Sequence, residues 1–443
     1  MQNVALPLEG LERVRGKHLL VALSGGADSV ALACLLAEAK QSYGLTLTCA
    51  HMDHGIRPES ASDAQFCREF CRDMDLPLQT VRVDVPAIAR AFREGIETCA
   101  RRVRYEWLRK VKEAVRADHI ALAHHMDDQA ETVLMHLFRG AGPEGASGMR
   151  VFSGDLFRPL TGVRKQALVE YLSERNISWR EDATNAVGDN PRNDIRLNVI
   201  PAIEKNYPQA VSAIARFARA QAEESDLVAR LSEAYARGNV ETGPYGTLIR
   251  LAEGFEPAIL KRIVRRICGP GLESAKLEEV MALCQNQRGK TDISSDMFAE
   301  RGRSGLYFLP KCPAKTPQAE LSLDGTTLFG DFCRIEAEDA PPVPVRDDPM
   351  RQVLNKDTLR GAVVRTREDG DRIRPLGSGE KLLSDYFTDK KIDRPLRDHI
   401  PLVAVGKNIL WAAGVGISGD ACIRSASDPC VMLKCTVKAN KRN

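Results

Sequence analysis

The 443-residue chain contains no apolar run of the roughly 20 residues that a membrane-crossing helix needs. Its first residues, MQNVALPLEGLERVRGKH, lack the basic start and long apolar stretch of a secretory signal. None of the 12 cysteines forms a CxxC pair, and the nearest approach is Cys67 with Cys71, so no zinc or iron–sulfur ligand set is visible. We therefore expect a cytoplasmic protein with free thiols, no membrane association and no tightly held organic cofactor.

Positive charge is concentrated towards the end of the chain. The formal net charge is only +3, yet residues 341–443 carry 19 lysines and arginines against 13 acidic residues. A basic C-terminal region on an otherwise near-neutral chain is typical of contact with a polyanion.

The first 140 residues alternate between short apolar runs and helical patterns. Strands are predicted at 18–23, 45–51, 78–85 and 119–123, and helices at 28–40, 59–75, 97–115 and 127–139. Such alternation predicts an α/β fold with a doubly wound parallel sheet, whose ligands bind at the carboxyl ends of the strands.

The pattern changes after about residue 200. Helices are predicted at 208–236, 256–268, 274–287 and 380–391, strands at 304–310 and 320–336, and a Pro- and charge-rich linker at 336–348. The resulting domain prediction is a catalytic α/β domain at 1–205, a mainly helical middle domain at 206–335, and a small α+β domain at 345–443.

The strongest local motif is SGGADS, which directly follows the first predicted strand. Its glycines allow the backbone to turn tightly and approach an anion, and the next helix directs its N-terminal N–H groups to the same place. This is not the GxxxxGK[ST] P-loop; it resembles the PP-loop of ATP pyrophosphatases, which split ATP between the α and β phosphates. The plainer alternative is a glycine-rich turn without a ligand. The candidate nucleotide-binding residues of the motif are Ser24, Gly25, Gly26, Ala27, Asp28 and Ser29.

Four further motifs follow, at 51–60 (HMDHGIRPES), at 95–105 (GIETCARRVRY), at 123–132 (AHHMDDQAET) with its continuation at 138–149, and at 181–196. Taken singly, each has a structural interpretation. His51 and His54 suit a buried or capping role, the arginines at 101, 102 and 104 suit a solvated helix face, and Asp127 with Asp128 suits a helix N-cap.

Taken together, in this order and spacing, the motifs resemble the tRNA(Ile)-lysidine synthetase family over about the first 200 residues. The resemblance continues more weakly at 370–397, where Asp393 replaces a proline common in the family. It implies that the cytidine O2 at the wobble position of the CAU-anticodon isoleucine tRNA attacks the α-phosphate of ATP. The ε-amine of free L-lysine then attacks C2, and AMP leaves.

The resemblance also suggests roles for individual residues. Asp28, Asp128 and Glu131 are expected to be catalytic, and Asp28 and Asp128 to bind Mg²⁺. His51 and Asp53 are expected beside the adenosine. The remaining candidates contact substrate or tRNA phosphate: Arg101, Arg104, His124, His125, Arg192, Asn193 and Arg196. The middle and C-terminal domains are expected to hold the tRNA body, and the sequence leaves open whether the chain forms a homodimer.

Two other classes of function are weighed against this one. Another PP-loop reaction, such as tRNA thiolation or ammonia-dependent ligation, would usually bring paired cysteines or an additional small-substrate domain. A non-catalytic RNA-binding protein would not need the carboxylates at 28, 128 and 131, all of which are present.

Overall fold

A six-stranded sheet with the order β3-β2-β1-β4-β6-β5 organises the first part of the computed structural model. The strands are β1 His18–Ala22, β2 Thr46–Asp53, β3 Leu78–Arg82, β4 His119–Ala121, β5 Phe152–Ser153 and β6 Leu156–Phe157. All neighbours are parallel except β5 and β6. The structure describes residues 8–56, 60–180, 191–252, 254–269, 271–286, 288–311, 318–330, 333–345 and 348–437. The predicted motif segments at 57–59 and 181–190 lie outside this set.

Helices cover both faces of this sheet. They are α1 Ala27–Tyr43, α2 Ser60–Asp73, α3 Val85–Phe92, α4 Ile96–Ala114, α5 Met126–Phe138, α6 Pro143–Ala146, α7 Lys165–Glu174, α8 Pro191–Asp194 and α9 Ile200–Glu204, with a π-helical turn at Ile195–Val199. Alternate residues of β1 face opposite ways: Leu19 and Val21 join the core built with α1, whereas Leu20 joins a second core with Leu108 of α4. The predicted doubly wound α/β fold is confirmed.

The chain divides into two compact units, Met1–Asp226 and Leu227–Asn443. The long helix α10, Ala210–Asn239, spans this boundary, and Val211 near its start packs in the first unit against Ala130 and Leu134 of α5. The first unit therefore extends beyond the boundary at residue 205 that the sequence suggests.

The helical middle region also contains a sheet that the sequence only partly predicts. Its helices α11 Pro257–Cys268 and α12 Ser274–Gln285 accompany a five-stranded antiparallel sheet of order β7-β8-β11-β10-β9. The strands are β7 Val240–Gly243, β8 Gly246–Ile249, β9 Gly289–Asp292, β10 Met297–Arg301 and β11 Leu306–Pro310.

The C-terminal region is rich in β-structure. Its strands are β12 Ala319–Glu320, β13 Thr326–Phe329, β14 Cys333–Asp339, β15 Arg351–Asn355, β16 Val363–Arg365, β17 Arg372–Ile373, β18 Lys381–Leu382, β19 Leu402–Val405, β20 Asn408–Ala412, β21 Gly416–Ile417 and β22 Cys430–Val437, with helices α13 Leu383–Asp389 and α14 Arg394–Arg397. Because β12 pairs with β16, and β14 with β22, the described strands between residues 319 and 339 pair with strands of this region, on both sides of the boundary at 335 that the sequence suggests. Their partners lie far along the chain, so local sequence carries no signal of the pairing.

Every helix among the described residues is too short or too polar to cross a membrane.

Candidate active site

The SGGADS turn joins β1 to α1 at the carboxyl edge of the first sheet. Gly25 has a φ of 91°, a conformation that favours glycine, and a Cβ there would lie 3.4 Å from the Cys67 sulfur. The Ser29 hydroxyl accepts from the backbone N–H of Ser24 at 3.1 Å and donates to the Gly26 carbonyl at 3.0 Å. The turn is therefore held closed by its own serine, and the first N–H groups of α1 point out of it.

A cavity of about 450 Å³ opens beside this turn. That volume is in the range of small-molecule and cofactor sites. It is lined by residues from the ends of β1, β2 and β4 and from α1, α2 and α4, among them Ser24, Asp28, His51, Asp53, His54, Arg104, Trp107 and His124. The structure thus brings residues of the first four predicted motifs to one edge of the sheet.

The end of β2 supplies two buried polar side chains. His51 is 4% exposed, and its Nδ1 lies 2.9 Å from the Leu23 carbonyl. Burial lowers the pKa of His51, so the neutral ring donates from Nδ1 and keeps Nε2 as an acceptor. Asp53 accepts from the Gly55 backbone N–H at 2.8 Å. Burial alone would raise the pKa of Asp53, but that bond and neighbouring charges hold it below its usual value.

His125 caps α5 and lies between two of the predicted catalytic carboxylates. Its Nε2 is 3.7 Å from Oδ2 of Asp28 and 3.4 Å from Oδ2 of Asp128. The Asp128 carboxylate accepts from the His125 backbone N–H at 3.1 Å, which completes a capping box. Burial opposes both charges, yet the pKa of His125 is raised and that of Asp128 is lowered, because the opposite charges outweigh it.

Glu131 has surroundings that differ from those expected for a base. Its side chain is 1% exposed, and its Oε1 and Oε2 lie 2.5 Å and 2.8 Å from the Nε atoms of Arg196 and Arg192. Both arginines also reach Oδ1 of Asp128 at 3.3 Å. Because both Glu131 oxygens are already occupied, the geometry favours a positioning role over proton transfer. Arg196 lies in the π-helical turn, a geometry common at functional sites.

The other predicted phosphate contacts differ in their location. Arg104 and His124 line the cavity, whereas Arg101 is exposed on α4, with its guanidinium 5.2 Å from the Tyr105 ring. Asn193 is half-buried on α8 between the two arginines that bind Glu131. The roles of these residues stay predictions.

Asp28 is better suited than Asp128 to hold a cation. Its Oδ1 is buried and has no hydrogen-bond partner in the part of the chain that the structure describes, and a carboxylate oxygen in that state fits a hard cation. Asp128 is already compensated by two arginines and His125. The described residues contain no group of three or more His, Cys, Asp or Glu side chains arranged for a metal. Mg²⁺ would therefore be held by Asp28 together with phosphate oxygens.

The geometry gives no support to thiolation at this edge. Cys34 and Cys99 are 2% and 0% exposed, and neither lines the cavity. Burial raises the pKa of the Cys34 thiol to about 12, so it is not a thiolate at neutral pH.

Comparisons with known proteins show the family to which the chain belongs. Residues 3–203 match the PP-loop domain family. The chain is 32% identical to the tRNA(Ile)-lysidine synthase of Caldanaerobacter subterraneus over 418 residues, covering 90% of each chain. It is 34% identical to that of Symbiobacterium thermophilum over 436 residues, again covering 90% of each. The chain belongs to the tRNA(Ile)-lysidine synthase family. The resemblance predicted from the sequence is thereby confirmed.

Membership of the tRNA(Ile)-lysidine synthase family also accounts for the second unit. Residues 362–433 match the TilS substrate C-terminal domain, which includes the weakly matching motif at 370–397. Within it, Asp393 is 6% exposed and accepts from the Tyr307 hydroxyl at 2.8 Å and the Ser304 backbone N–H at 2.7 Å. Asp393, which stands where a proline is common in the family, thus forms buried hydrogen bonds within the second unit.

Sequence reasoning missed several residues at this edge of the sheet. Trp107 lines the cavity, and Cys67 lies 3.3 Å from Nδ1 of His51 beneath the turn. Arg158 and Tyr105 are buried polar groups close to Arg104 and His124. Each sits in an otherwise ordinary strand or helix pattern, so only the fold brings them together.

Proposed function

We propose that this chain is a ligase that attaches free L-lysine to C2 of the wobble cytidine in the CAU-anticodon isoleucine tRNA, using ATP. The observation that carries the proposal is the meeting of the SGGADS turn with the His125-centred carboxylates at one sheet edge, in a chain of the tRNA(Ile)-lysidine synthase family. The change would alter both the codon that the tRNA reads and the amino acid it carries.

The first step forms a bond between the cytidine O2 and the α-phosphate and releases pyrophosphate. Negative charge grows on phosphate oxygens, and the N–H groups at the start of α1 are oriented to stabilise it. Asp28, with its unpartnered buried oxygen, would hold Mg²⁺, which neutralises phosphate charge when bound. His51 and Asp53, at the end of β2, would contact the adenosine.

In the second step the lysine ε-amine attacks C2, AMP leaves, and the amine loses a proton. Lysine has a reference pKa of about 10.4, so the site must bind the ammonium and then accept a proton. Asp128 and His125 would serve this purpose. Glu131 would fix Arg192 and Arg196 beside Asp128, where their positive charge would favour phosphate.

The tRNA body would be held chiefly through phosphates by the second unit and by α4, after the wobble cytidine is splayed out of its loop. We further propose that the protein acts in the cytoplasm.

Incorporation of radiolabelled lysine tests the proposal. Wild-type protein with ATP, Mg²⁺ and a CAU-anticodon isoleucine tRNA transcript should yield a lysine adduct at the wobble cytidine, detected by mass analysis. Asp28→Asn should lower pyrophosphate release by about 100-fold or more while tRNA affinity stays near wild type. Asp73→Asn, on the exposed end of α2, is the matched control. Sulfur or ammonia incorporation in place of lysine would refute the assignment.

A further inference from the structure

Four buried polar atoms near β4 and β6, two of them on residues that line the cavity, form no hydrogen bond of good geometry with the described residues. They are Nε of Arg104, the hydroxyl of Tyr105, Nδ1 of His124 and Nε of Arg158. They come from α4, from the residues before α5 and from the residue after β6, and nothing so far assigns a role to Tyr105 or Arg158. Buried polar groups are normally paired, so a cluster of four indicates a missing partner.

Arg158 is the most constrained member of the cluster. Its side chain is 8% exposed, and its Nη1 donates to the Arg150 carbonyl at 3.1 Å. No carboxylate of the described residues lies within 4.0 Å of its guanidinium. Burial lowers its pKa, an effect that the neighbouring Tyr105 hydroxyl partly offsets. A buried guanidinium without an anion is costly, which argues that the anion is a ligand.

The positive charge of the cluster comes from its two arginines. Arg104 adds a second cation, and His124 adds none, because burial lowers its pKa to about 3. On the solvent side, Arg101 and Arg109 lie 5.2 and 6.0 Å from the Tyr105 ring. Exposed arginines thus lie outside the cluster, and buried hydrogen-bond donors that suit phosphate oxygens lie inside it.

The cluster lies on the opposite side of β1 from the proposed adenosine site. The sheet order runs from β2 through β1 and β4 to β6. Two strand spacings, about 10 Å, therefore separate Arg158 from the turn that receives the ATP phosphates. Arg104 and His124 line the same cavity as that turn. A second phosphate-bearing molecule would reach the reaction from this side.

We infer that Arg158, with Arg104 and the Tyr105 hydroxyl, binds a backbone phosphate of the RNA next to the cytidine that is modified. The inference rests on the proposed function, since it identifies the polyanion as the RNA substrate. Gripping this phosphate would hold the extruded nucleotide in register with the ATP α-phosphate.

Binding measurements on the full-length chain test it. Arg158→Gln should weaken the binding of an anticodon stem-loop RNA by about tenfold or more, since a charged hydrogen bond is lost. The slope of log affinity against log salt should fall by about one, while the affinity for an ATP analogue changes less than about twofold. Arg158→Lys should recover part of the loss. Arg72→Gln, an exposed arginine on α2, should leave all these values unchanged.

A second variant guards against misfolding, and modified RNA identifies the phosphate. Tyr105→Phe removes one hydroxyl and should weaken RNA binding severalfold. Replacing each phosphate beside the target cytidine with a neutral methylphosphonate should weaken wild-type binding at one position, and that position should have no further effect in Arg158→Gln.

Three outcomes would overturn the inference: unchanged RNA affinity in folded Arg158→Gln and Tyr105→Phe, equal methylphosphonate effects in wild type and variant, or weakened pyrophosphate or ATP binding without an RNA effect. RNA binding is measured without lysine, so a wild-type protein that binds RNA but makes no lysine adduct would refute the proposed function and leave the phosphate site standing.

Discussion

Asp128 and Glu131 lie three residues apart on α5, and their carboxylates have different surroundings. Asp128 meets His125 and two arginine Nη2 atoms at 3.3 to 3.4 Å, whereas Glu131 is 1% exposed and bound at close range by both Nε atoms. Helical spacing correctly indicates that both side chains lie on one face. Helical spacing does not show that Glu131 forms ion pairs with Arg192 and Arg196, which follow it by 61 and 65 residues in the sequence.

Glu131→Gln tests the positioning role. Removing the charge leaves two arginines facing a neutral amide, so we expect the free energy of unfolding to fall by about 3 kcal/mol and kcat by about 100-fold. The shape of the pH–rate profile should be retained, because the proton acceptor is elsewhere. Chemical denaturation and steady-state rates measure these effects. Glu241→Gln, in an exposed pair with Arg250, should leave the free energy of unfolding close to the wild-type value. A lost limb of the pH profile would instead identify Glu131 as the base.

Burial of neutral His124 makes the free energy of unfolding depend on pH. Burial holds its pKa at about 3 in the folded state, against about 6.5 when unfolded. The folded protein therefore binds fewer protons, and stability is lost as pH falls below 6.5, by about 2 kcal/mol from this residue at pH 5. His124→Asn should flatten the fall in unfolding free energy between pH 7 and 5. Identical slopes in the two proteins would contradict a neutral, buried His124.

At the scale of elements, the first sheet could be predicted and the later ones only in part. The apolar run of β1 and the helical pattern of α1 are local signals, and their bounds lie within a few residues of prediction. Strand β6, Leu156–Phe157, is two residues long, so it has no recognisable sequence periodicity. Arg158 at its end therefore cannot be predicted as a site residue. Likewise, β14 is defined by β22, about a hundred residues away.

The turn between β1 and α1 is the element whose backbone is proposed to bind the ATP phosphates. Gly25→Ala forces an L-residue to a φ of 91°, with its Cβ against Cys67, which should cost about 1–2 kcal/mol and raise the KM for ATP about tenfold or more. Gly16 has a φ of 70° but open space around it, so Gly16→Ala should show a similar strain without the change in KM. An equal KM for ATP in the two variants would show that the turn does not bind the nucleotide.

For the whole molecule, charge is distributed along the chain as binding to a long polyanion requires. The excess of basic residues lies beyond residue 340, whereas the proposed active site lies in the first unit. Lys391 and Arg394, in the motif at 370–397, are exposed. Sequence reveals this asymmetry directly, since net charge needs no fold.

Neutralising two of these charges separates tRNA binding from catalysis. Lys391→Gln with Arg394→Gln should lower tRNA affinity severalfold and reduce the salt slope by about one to two, because up to two phosphate contacts disappear. At saturating tRNA, kcat should stay at the wild-type value, since no side chain of the cavity has changed. Lys40→Gln with Arg72→Gln removes the same charge from exposed positions of α1 and α2 and should alter neither quantity. Filter binding across a salt series measures the tRNA affinity, and steady-state rates measure kcat. A fall in kcat with unchanged tRNA affinity would show that these residues act on the chemistry rather than on RNA binding.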